Sequence, residues 1–430
     1  MAVPGASWGR YPRATQQILP LHWRDAPLPQ IAGSLLPYGN GRSYGDVCLN
    51  DGGTLLAARG LDRFIAFDAG KGILRCEAGV TFAEILALTV PRGWFLPVTP
   101  GTRFVTLGGA VANDVHGKNH QRAGTFGEHV SRFELLRSDG SRIVCSPDEN
   151  ADLFRATIGG LGLTGLVTWV EFSLRRISGP WMTTRTQRFA DLDEFFALSE
   201  TAEREHDYVV AWIDCAARQA LGRGLLVAAN HATAGVAGRA PGKGLPGVPL
   251  TPPFSLINPL TLRALNELYF RSAREGEAVT HYAPYFYPLD AIGDWNRVYG
   301  PRGFLQYQCV VPPEHARAAM RELLERIAAS GSGSFLAVLK VFSARPPAGI
   351  LSFPRAGTTL ALDFPNGGAA TFALLDRLDD IVAAAGGAVY PAKDARMRGE
   401  RFRQYFPRWH EMQAHIDPRF SSGFWRRVME

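Results

Sequence analysis

The chain has 430 residues, of which 46% are hydrophobic and 20% charged, and it is rich in Gly, with 46 residues. A chain of this length and composition folds into globular domains, most simply two, which excludes a disordered, collagen-like or disulfide-stabilised protein. The net charge of +6 is spread along the chain without a long run of like charges, so nucleic acid is not the expected partner.

Short strands separated by Gly-rich turns are predicted between residues 35 and 175. Apolar runs bounded by turn residues place strands at 35–38, 54–57, 63–67, 72–77, 132–136, 142–145 and 166–174. Thr81 and Glu84 have the spacing of a capping box, so a helix is expected to begin there, and another is expected at 152–157. Many short strands with few helices indicate an α+β fold rather than a doubly wound sheet.

A break at Pro180 and a change in the pattern of predicted elements indicate a second domain from about residue 179. The elements predicted in it are helices at 314–330 and 369–385 and strands at 335–342 and 358–364. The segment 228–259 is rich in Gly, Pro and Ala and lacks periodicity, which predicts a mobile loop or a functional lid.

Three short motifs occur in the wrong structural context. Residues 41–45 match the G-x-S-x-G nucleophile elbow around Ser43, but a turn-like sequence follows them instead of a helix. Residues 160–165 match G-x-G-x-x-G, yet a predicted helix precedes them and a strand follows, the reverse of a dinucleotide site. His116 and His120 have the spacing of a zinc pair without an HExxH motif, so no metal site is predicted. A serine hydrolase acting through Ser43 stays open as an alternative of another class.

Two Gly-rich segments, 37–46 and 100–118, point to a long phosphorylated cofactor. Successive backbone N–H groups in such a turn can hold a diphosphate without a lysine. A polar hairpin tip is the plain alternative for the first segment alone. Two such segments in one small domain favour a cofactor that lies along it.

These segments resemble the flavin-binding domain of the vanillyl-alcohol oxidase superfamily, whose FAD-binding domain is of the PCMH type. The residues that carry the resemblance are 41–46, 100–102, 108–109, 113–119 and 159–165. The subgroup formed by the oxidase subunits of decaprenylphosphoryl-β-D-ribose 2′-epimerase is similar in three further segments, 116–120, 303–308 and 390–396. Each motif alone is weak, but their order and spacing cover nearly the whole chain from about residue 35 onward.

The resemblance implies a two-domain α+β flavoprotein of the vanillyl-alcohol oxidase type. Residues 1–178 would form the FAD-binding domain, residues 179–387 a substrate domain built on an antiparallel sheet, and residues 388–430 would return to the first domain. The FAD would be bound non-covalently, because Ser43 and Tyr44 stand where many members of the superfamily have the histidine that attaches it.

Both Gly-rich segments and one residue of the C-terminal segment are expected, by the resemblance, to contact FAD. The first turn would wrap the diphosphate, and the second segment would approach the ribityl chain. The expected contacts are Tyr38, Gly39, Asn40, Gly41, Arg42, Ser43, Tyr44, Gly45, Asp46, Gly101, Thr102, Thr106, Gly108, Gly109, Asn113, His116, Gly117 and Tyr390.

Lys393 is expected to be the main catalytic group, with His116 and Tyr44 beside it. Oxidation of a secondary alcohol removes a hydroxyl proton while a hydride leaves carbon, so the site must order the substrate and stabilise charge. The Lys393 amine could hold the sugar hydroxyl, stabilise alkoxide charge or act as a base, and a surface lysine is its plain alternative. The residues expected to bind substrate are Gln306, Gln308, Lys340, Phe342 and Lys393.

Two of these expectations have plain alternatives. Gln306 and Gln308 share one face of their strand, but half-exposed sheets also carry polar residues at that period. Lys340 interrupts an apolar strand. Exposed faces of strands often carry such a lysine, which is the plain alternative, whereas by the resemblance Lys340 would point into the pocket and meet a phosphate.

The activity implied by the resemblance is oxidation of the 2′-hydroxyl of a polyprenylphosphoryl-β-D-ribose to the 2′-keto sugar, the first half of epimerisation to the arabinose form. A separate nicotinamide-dependent short-chain reductase would complete the epimerisation, within cell-wall or glycan biosynthesis. An FAD-dependent alditol or aldonolactone oxidase is the first alternative, and a catalytically silent FAD-binding module is another. The absence of a His-Trp-x-Lys segment around Lys393 favours the epimerase subgroup.

Location and thiol chemistry complete the predictions. Neither a signal peptide nor an apolar stretch of about 18 residues is found, so a cytoplasmic protein is predicted, with peripheral contact at the inner face of the membrane left open. Five widely spaced Cys residues without a C-x-x-C pair are expected to be reduced core thiols. Mycobacterial members of the subgroup carry Asn and Cys where this chain has Thr359 and Ala361, which predicts insensitivity to inhibitors that need that thiol.

Overall fold

The strands of this protein form separate sheets before and after residue 180. The structure is a computed structural model in which residues 5–239, 242 and 246–430 are described. Among these residues, no helix is both long enough and apolar enough to cross a bilayer.

The first part of the chain carries ten strands among the described residues and four α-helices. The strands are β1 Gln17–Pro20, β2 Leu35–Tyr38, β3 Thr54–Ala57, β4 Phe64–Asp68, β5 Ile73–Glu77, β6 Trp94–Phe95, β7 Val130–Leu136, β8 Arg142–Cys145, β9 Leu166–Ser173 and β10 Arg175–Arg176. The helices are α1 Phe82–Thr89, α2 Leu107–Ala112, α3 His120–Ala123 and α4 Ala151–Thr157. A parallel sheet has the order β1-β3-β2, an antiparallel sheet has the order β4-β5-β9-β7-β8, and β6 pairs with β10.

The sequence predictions for this part are confirmed, with shifts of one or two residues at some ends. Each predicted strand corresponds to one of β2, β3, β4, β5, β7, β8 and β9, and the helix predicted at 152–157 is α4. Helix α1 begins after the predicted capping box, in which the Glu84 carboxylate accepts from Thr81 N–H at 2.7 Å. The Thr81 hydroxyl accepts from Glu84 N–H at 3.3 Å, so both exposed donors of the helix start are satisfied.

An antiparallel sheet of eight strands dominates the second part. The strands are β11 Trp181–Phe189, β12 Tyr208–Ile213, β13 Gly224–His231, β14 Gly276–His281, β15 Phe304–Val311, β16 Val338–Phe342, β17 Gly357–Pro365 and β18 Ala388–Val389. Their order is β14-β11-β13-β12-β16-β17-β15-β18. The helices are α5 Leu192–Glu205, α6 Pro259–Ser272, α7 Tyr282–Phe286, α8 Pro313–Ser330 and α9 Ala369–Ala384.

Helices α8 and α9 confirm the two predicted helices. The inner face of α8 buries Met320, Leu323, Leu324 and Ile327, and it packs with α9 against the sheet in the largest apolar cluster of the protein. The strand predicted at 335–342 begins only at Val338, because the Phe335 carbonyl accepts from the Trp212 side chain instead of from a strand.

The prediction of an unstructured segment at 228–259 is wrong at its start. Residues 228–231 belong to β13, where buried Ala228 and Ala229 pair with β11 and β12, and small residues of this kind give no periodic signal. Pro259, the last residue of the segment, begins α6. Residues 240, 241 and 243–245 of the predicted lid lie outside the described residues.

The last residues form three short helices, and the third of them contacts the end of the first Gly-rich turn. They are α10 Gly399–Tyr405, α11 Trp409–Gln413 and α12 Gly423–Met429. On α12 the Arg427 guanidinium donates to Asp46 at 2.7 Å and to Asp394 at 3.0 Å. Asp394 follows Lys393 directly, so one side chain joins the first turn to the expected catalytic residue. The mixture of helices and antiparallel sheets confirms the α+β class, while the division into two domains stays a prediction.

Candidate functional site

Both Gly-rich segments and several elements of the second part line one cavity. The cavity has a volume of about 490 Å³. Strands β15 and β16 and the 3-10 turn Pro391–Lys393 are among the elements of the second part that line it, together with residues of β12, β13, β17, α6 and α7. A cavity of this size with polar groups converging from several elements is the expected form of a small-molecule site.

Most of the predicted site residues lie on the wall of this cavity. Those lining it are Tyr38, Gly39, Asn40, Gly41, Arg42, Ser43, Tyr44, Gly101, Thr102, Thr106, Gly108, Gly109, Asn113, His116, Gly117, Gln306, Gln308, Lys340, Tyr390 and Lys393. The cavity therefore brings together predicted site residues from both parts of the chain. The role of each residue stays a proposal.

Three predicted residues, Gly45, Asp46 and Phe342, do not line the cavity. A Cβ atom on Gly45 would lie 1.7 Å from the Asp394 carbonyl oxygen, so this residue packs against the C-terminal segment. Asp46 points the same way, toward Arg427. The Phe342 ring lies behind His116, with ring centres 4.9 Å apart. Direct ligand contact by these three residues is corrected to a supporting position behind the wall.

The first turn presents a row of unpaired backbone donors. Within the described part of the chain, the N–H groups of residues 39–43 donate no hydrogen bond. Gly41 has φ +58°, and a Cβ there would lie 2.3 Å from the Tyr38 hydroxyl, so the turn requires glycine. The Asn40 amide donates to the Phe104 carbonyl at 2.8 Å and holds the turn against the second segment. Successive free N–H groups form a nest suited to a diphosphate.

Further unsatisfied polar atoms lie on the second segment. Asn113 Oδ1 and His116 Nδ1 are buried without a hydrogen-bond partner in the described residues, although the Asn113 amide donates to Gly109 at 2.9 Å. Buried polar atoms of this kind are normally paired, so they mark positions where a bound molecule supplies the partner. Together with the free N–H groups of the first turn, this donor and acceptor set fits the expected flavin dinucleotide.

His116 is a neutral residue in this environment. Burial lowers its pKa well below the usual range, and the nearby Lys340 and His120 lower it further. The Gln308 amide nitrogen lies 2.9 Å from His116 Nε2 and donates to the Thr359 hydroxyl at 3.2 Å. With that amide as the donor, His116 Nε2 is the acceptor. The ring proton is therefore on Nδ1, the atom that has no hydrogen-bond partner among the described residues. In the described residues no group of three His, Cys, Asp or Glu side chains could hold a metal ion.

Lys393 lies inside the cavity wall, so it is not the surface lysine of the plain alternative. Its Nζ atom is 4.0 Å from the centre of the Tyr44 ring. Burial lowers the pKa of Lys393, Asp363 partly reverses that shift, and Lys340 adds to it. Burial also raises the pKa of Tyr44 well above its usual range, so Tyr44 presents a neutral hydroxyl. An amine with a lowered pKa beside a neutral hydroxyl can exchange a proton with an alcohol.

Asp363 is a residue of this site that the sequence analysis missed. It is fully buried and pairs across the sheet with Gln306, whose amide donates to its carboxylate at 2.6 Å. Burial raises the pKa of Asp363, and Lys393 opposes that rise. The period of two could have found it, because residues 359, 361 and 363 share one face of β17.

Lys118 is the second missed residue. It lines the cavity near Lys340, and its Nζ atom is 4.2 Å from the centre of the Tyr285 ring. Burial lowers the pKa of Lys118 to about 7 and that of Lys340 to about 8. Its position in the 116–120 motif is the signal that could have found it, because the neighbouring His116 was predicted to be a site residue from the same motif.

The hydrolase alternative lacks its structural context. Ser43 is followed by the 3-10 turn Asp46–Cys48 and a strand, whereas the nucleophile elbow requires an α-helix at this point.

Comparison with known proteins places this arrangement in a family. Residues 31–146 match the FAD binding domain family. The chain is 35% identical over 407 residues to decaprenylphosphoryl-β-D-ribose oxidase of Mycolicibacterium smegmatis, covering 91% of this chain and 88% of that protein. It is 37% identical over 371 residues to an uncharacterized Streptomyces coelicolor protein, covering 81% of this chain and 100% of the other. Human Δ24-sterol reductase is 34% identical over 107 residues, 25% of this chain and 21% of that enzyme.

Proposed function

Since this chain belongs to the family of FAD-dependent oxidoreductases that includes decaprenylphosphoryl-β-D-ribose oxidase, we propose that it oxidises the 2′-hydroxyl of a polyprenylphosphoryl-β-D-ribose to the 2′-keto sugar. The product would feed a separate nicotinamide-dependent reductase that completes epimerisation to the arabinose form. The observation that carries the proposal is the meeting of Lys393, Tyr44 and Gln306 in a cavity shared with both Gly-rich segments.

The cofactor would be held by groups on the first and second segments. The N–H groups of residues 39–43 would bind the diphosphate, and Asn113 and His116 would pair with polar atoms of the flavin part. When bound, FAD supplies the two-electron acceptor for the alcohol. Residues 1–178 with 388–430 would form the FAD-binding domain, and residues 179–387 the substrate domain.

The protein's own residues would order the sugar and move the proton. Lys393 would take the proton of the 2′-hydroxyl, since burial favours its neutral amine. The Asp363 carboxylate would then stabilise the ammonium group formed. Gln306 and Gln308 would hydrogen-bond the sugar, and Tyr44 would hold its hydroxyl from the other side. One proton goes to Lys393, and the hydride of the same carbon carries the two electrons away.

Anaerobic titration of the purified holoenzyme tests this function. Polyprenylphosphoryl ribose is expected to bleach the visible absorbance of the oxidised flavin stoichiometrically. The matched control is the same lipid phosphate carrying arabinose, whose 2′-hydroxyl has the opposite configuration. A flavin that stays oxidised with the ribose lipid would contradict the proposal and would favour a silent binding module.

The FAD is proposed to be non-covalent. Histidine and cysteine are the residue types that attach flavins, and on the cavity wall of the described residues they are His116 and Cys48. Burial raises the pKa of Cys48 to about 12, which leaves its thiol protonated, and His116 lies outside the first turn. Acid precipitation should release the yellow colour into the supernatant. Colour that stays in the pellet would show a covalent bond.

An aldonolactone oxidase is the second candidate function. A putative D-arabinono-1,4-lactone oxidase of Neurospora crassa is 30% identical over 115 residues, which cover 26% of this chain and 20% of that protein. Reduction of the flavin by a free alditol or aldonolactone, without a prenyl phosphate, would favour this candidate.

A lipid substrate suggests contact with a membrane surface, and we place this contact at residues 250–269. Of the twelve exposed large hydrophobic residues in the described chain, seven lie in this range, including Leu260 at 79% and Leu268 at 66% exposure. Tyr269, at its end, lines the cavity. Exposed apolar side chains at a cavity mouth suit a lipid tail that stays in the bilayer.

Co-sedimentation with phospholipid vesicles tests this contact. The double variant Leu260→Ser with Leu268→Ser should sediment several-fold less than wild type. Trp23→Ser, which removes an equally exposed apolar residue from the first part of the chain, is the control. Equal sedimentation of all three proteins would contradict the assignment.

A further inference from the structure

Lysine is rare in this chain and is concentrated in one cavity. Only five of the 46 basic residues are lysines. Three of them, Lys118, Lys340 and Lys393, line the cavity described above, while Lys71 is exposed and Lys243 lies outside the described residues. An arginine is permanently charged and forked, whereas a lysine is a compact point charge that can lose its proton. Because most basic positions in this chain are arginines, the three lysines in the cavity indicate a place where a compact charge suits a bound molecule.

The three lysines differ in their counter-charges. Lys393 is stabilised by Asp363. No carboxylate oxygen of a described residue lies within 4.0 Å of the ammonium groups of Lys118 and Lys340. The ionisable groups that act on these two are themselves cationic or neutral, since Lys340 acts on Lys118 and burial keeps His116 and His120 neutral. Two neighbouring ammonium groups without a carboxylate are costly to bury and are stabilised by a bound anion.

Each ammonium group is anchored by one backbone carbonyl, and Lys340 lies near enough to Lys118 to lower its pKa. Lys340 Nζ donates to the Gly117 carbonyl at 3.5 Å, and Lys118 is the next residue of the chain. Lys118 Nζ donates to the Tyr285 carbonyl on α7. Each ammonium has three N–H donors and uses one of them in this way, so two on each remain for a ligand.

The surroundings of this pair suit a phosphate that carries an apolar chain. Tyr285 and Phe286 border Lys118, and Leu336 and Val338 line the cavity near Lys340. A phosphate has several oxygens that share its negative charge, so two ammonium groups can each donate a charge-assisted hydrogen bond to it. Gln306 and Lys393 lie on another part of the same wall.

We propose that Lys118 and Lys340 form the binding site for the phosphodiester group of a prenyl-phosphate sugar. The identity of the ligand rests on the proposed function, whereas the anion site rests on the two lysines. The phosphate would be held at the turn of residues 117–118, with the sugar toward Gln306 and Lys393 and the first prenyl units against Tyr285 and Phe286. The two lysines would thus select a lipid-linked sugar over a free one.

Binding of farnesyl phosphate and of farnesol to the FAD-loaded protein, measured by calorimetry, tests the site without turnover. Wild type should bind farnesyl phosphate at least tenfold more tightly than farnesol. Lys118→Met and Lys340→Met should each lose most of that preference and leave farnesol binding unchanged. Lys71→Met is the matched control, and the Lys→Arg variants at 118 and 340 should retain part of the preference.

The outcomes separate this inference from the proposed function. Equal binding of farnesyl phosphate by wild type and by both Met variants would overturn the anion site. Inorganic phosphate that binds as tightly as farnesyl phosphate would overturn the requirement for a lipid chain. A preserved phosphate preference in a protein whose flavin is not reduced by polyprenylphosphoryl ribose would support the site and refute the reaction.

Discussion

The side-chain amide of Gln306 donates a 2.6 Å hydrogen bond to the buried carboxylate of Asp363 on the neighbouring strand. This bond fixes which end of the amide is the nitrogen, and it leaves the Gln306 carbonyl oxygen as an acceptor. Gln306 also lies close enough to Tyr44 to lower the pKa of its hydroxyl, against the larger effect of burial, and the amine of Lys393 lies against the Tyr44 ring. A carboxylate that does not line the cavity thereby orders two residues that do.

Asp363→Asn should change the pH dependence of flavin reduction. The carboxylate raises the pKa of Lys393, so its removal lowers that pKa and makes the neutral base available at lower pH. The acidic limb of the rate profile is therefore expected to move to lower pH, while the plateau rate falls because the new ammonium loses its counter-charge. Anaerobic reduction rates across pH measure both effects. The control is Asp379→Asn, since Asp379 is a buried carboxylate paired with Arg396. If the acidic limb of the Asp363→Asn profile stayed at the wild-type pH, the proposed role of Asp363 would be contradicted.

Lys393→Ala should retain FAD and lose substrate oxidation. The lysine is expected to act as the general base, a contribution of about 10²–10⁴ in rate. Rapid mixing with polyprenylphosphoryl ribose under anaerobic conditions measures flavin reduction, and the visible spectrum of the purified variant measures FAD content. Lys71→Ala should behave as wild type. Bleaching of the Lys393 variant at the normal rate would remove this residue from the mechanism.

Gly101→Ala should weaken FAD binding without affecting the fold. A Cβ atom there meets nothing within 4 Å, so the cofactor-free protein should keep its melting temperature. If FAD lies against this backbone, the added methyl should cost about 1–3 kcal/mol of its binding free energy. Gly45→Ala is the contrasting variant, because its Cβ would collide with the Asp394 carbonyl and lower thermal stability. Unchanged FAD affinity in Gly101→Ala would show that the cofactor lies elsewhere.

The KM for the lipid phosphate substrate should rise with pH. Lys118 and Lys340 have pKa values of about 7 and about 8, so their ammonium groups are present below this range and are lost as pH rises through it. The phosphodiester keeps one negative charge throughout, so only the protein titrates. Steady-state kinetics between pH 6 and pH 9, from about 1 unit below the pKa of Lys118 to about 1 unit above that of Lys340, should show this rise. A KM that is constant in wild type would argue against phosphate binding by the pair.

Ala361→Cys should introduce a reactive thiol into the cavity. Ala361 lines the wall, and the native Cys48 on that wall has a pKa of about 12 because of burial. A small maleimide is therefore expected to leave wild type unmodified and to add one mass increment to the variant, whose thiolate is stabilised by the nearby lysines. Farnesyl phosphate should slow the labelling. A covalent adduct on wild type would refute the predicted insensitivity to thiol-dependent inhibitors.

Local chemistry made the first part of the fold predictable. The capping box at Thr81 and the alternating strands around turns such as Ser138 to Ser141 are encoded within a few residues. The elements from β11 to α6 were missed, although both helices among them begin with local capping residues, Asp191 before α5 and Asn258 before α6. Strand β12 is buried along almost all of its length, so it lacks the alternation that reveals a half-exposed strand.

Most of the site residues that lie in motifs or in segments of resemblance were predicted. A residue whose position depends on the packing of distant elements was missed. Lys393 and Lys340 were placed correctly on one wall, although they are far apart in sequence. A motif is continuous along the chain, but a tight turn directs successive residues to opposite sides, so Gly45 and Asp46 face the C-terminal segment. The period of two places Asp363 on the same face of β17 as residues 359 and 361, but its partner Gln306 lies on a neighbouring strand that is distant in sequence.

The contact made by Arg427 forms only after nearly the whole chain has been synthesised. Arg427 contacts Asp46, which was translated 381 residues earlier. A nascent chain thus carries the turn proposed to bind the FAD diphosphate through most of translation before Arg427, which holds that turn, has been added. Capture of the flavin is consequently expected to be a late step, performed by released chains, and truncated translation products should accumulate as colourless protein.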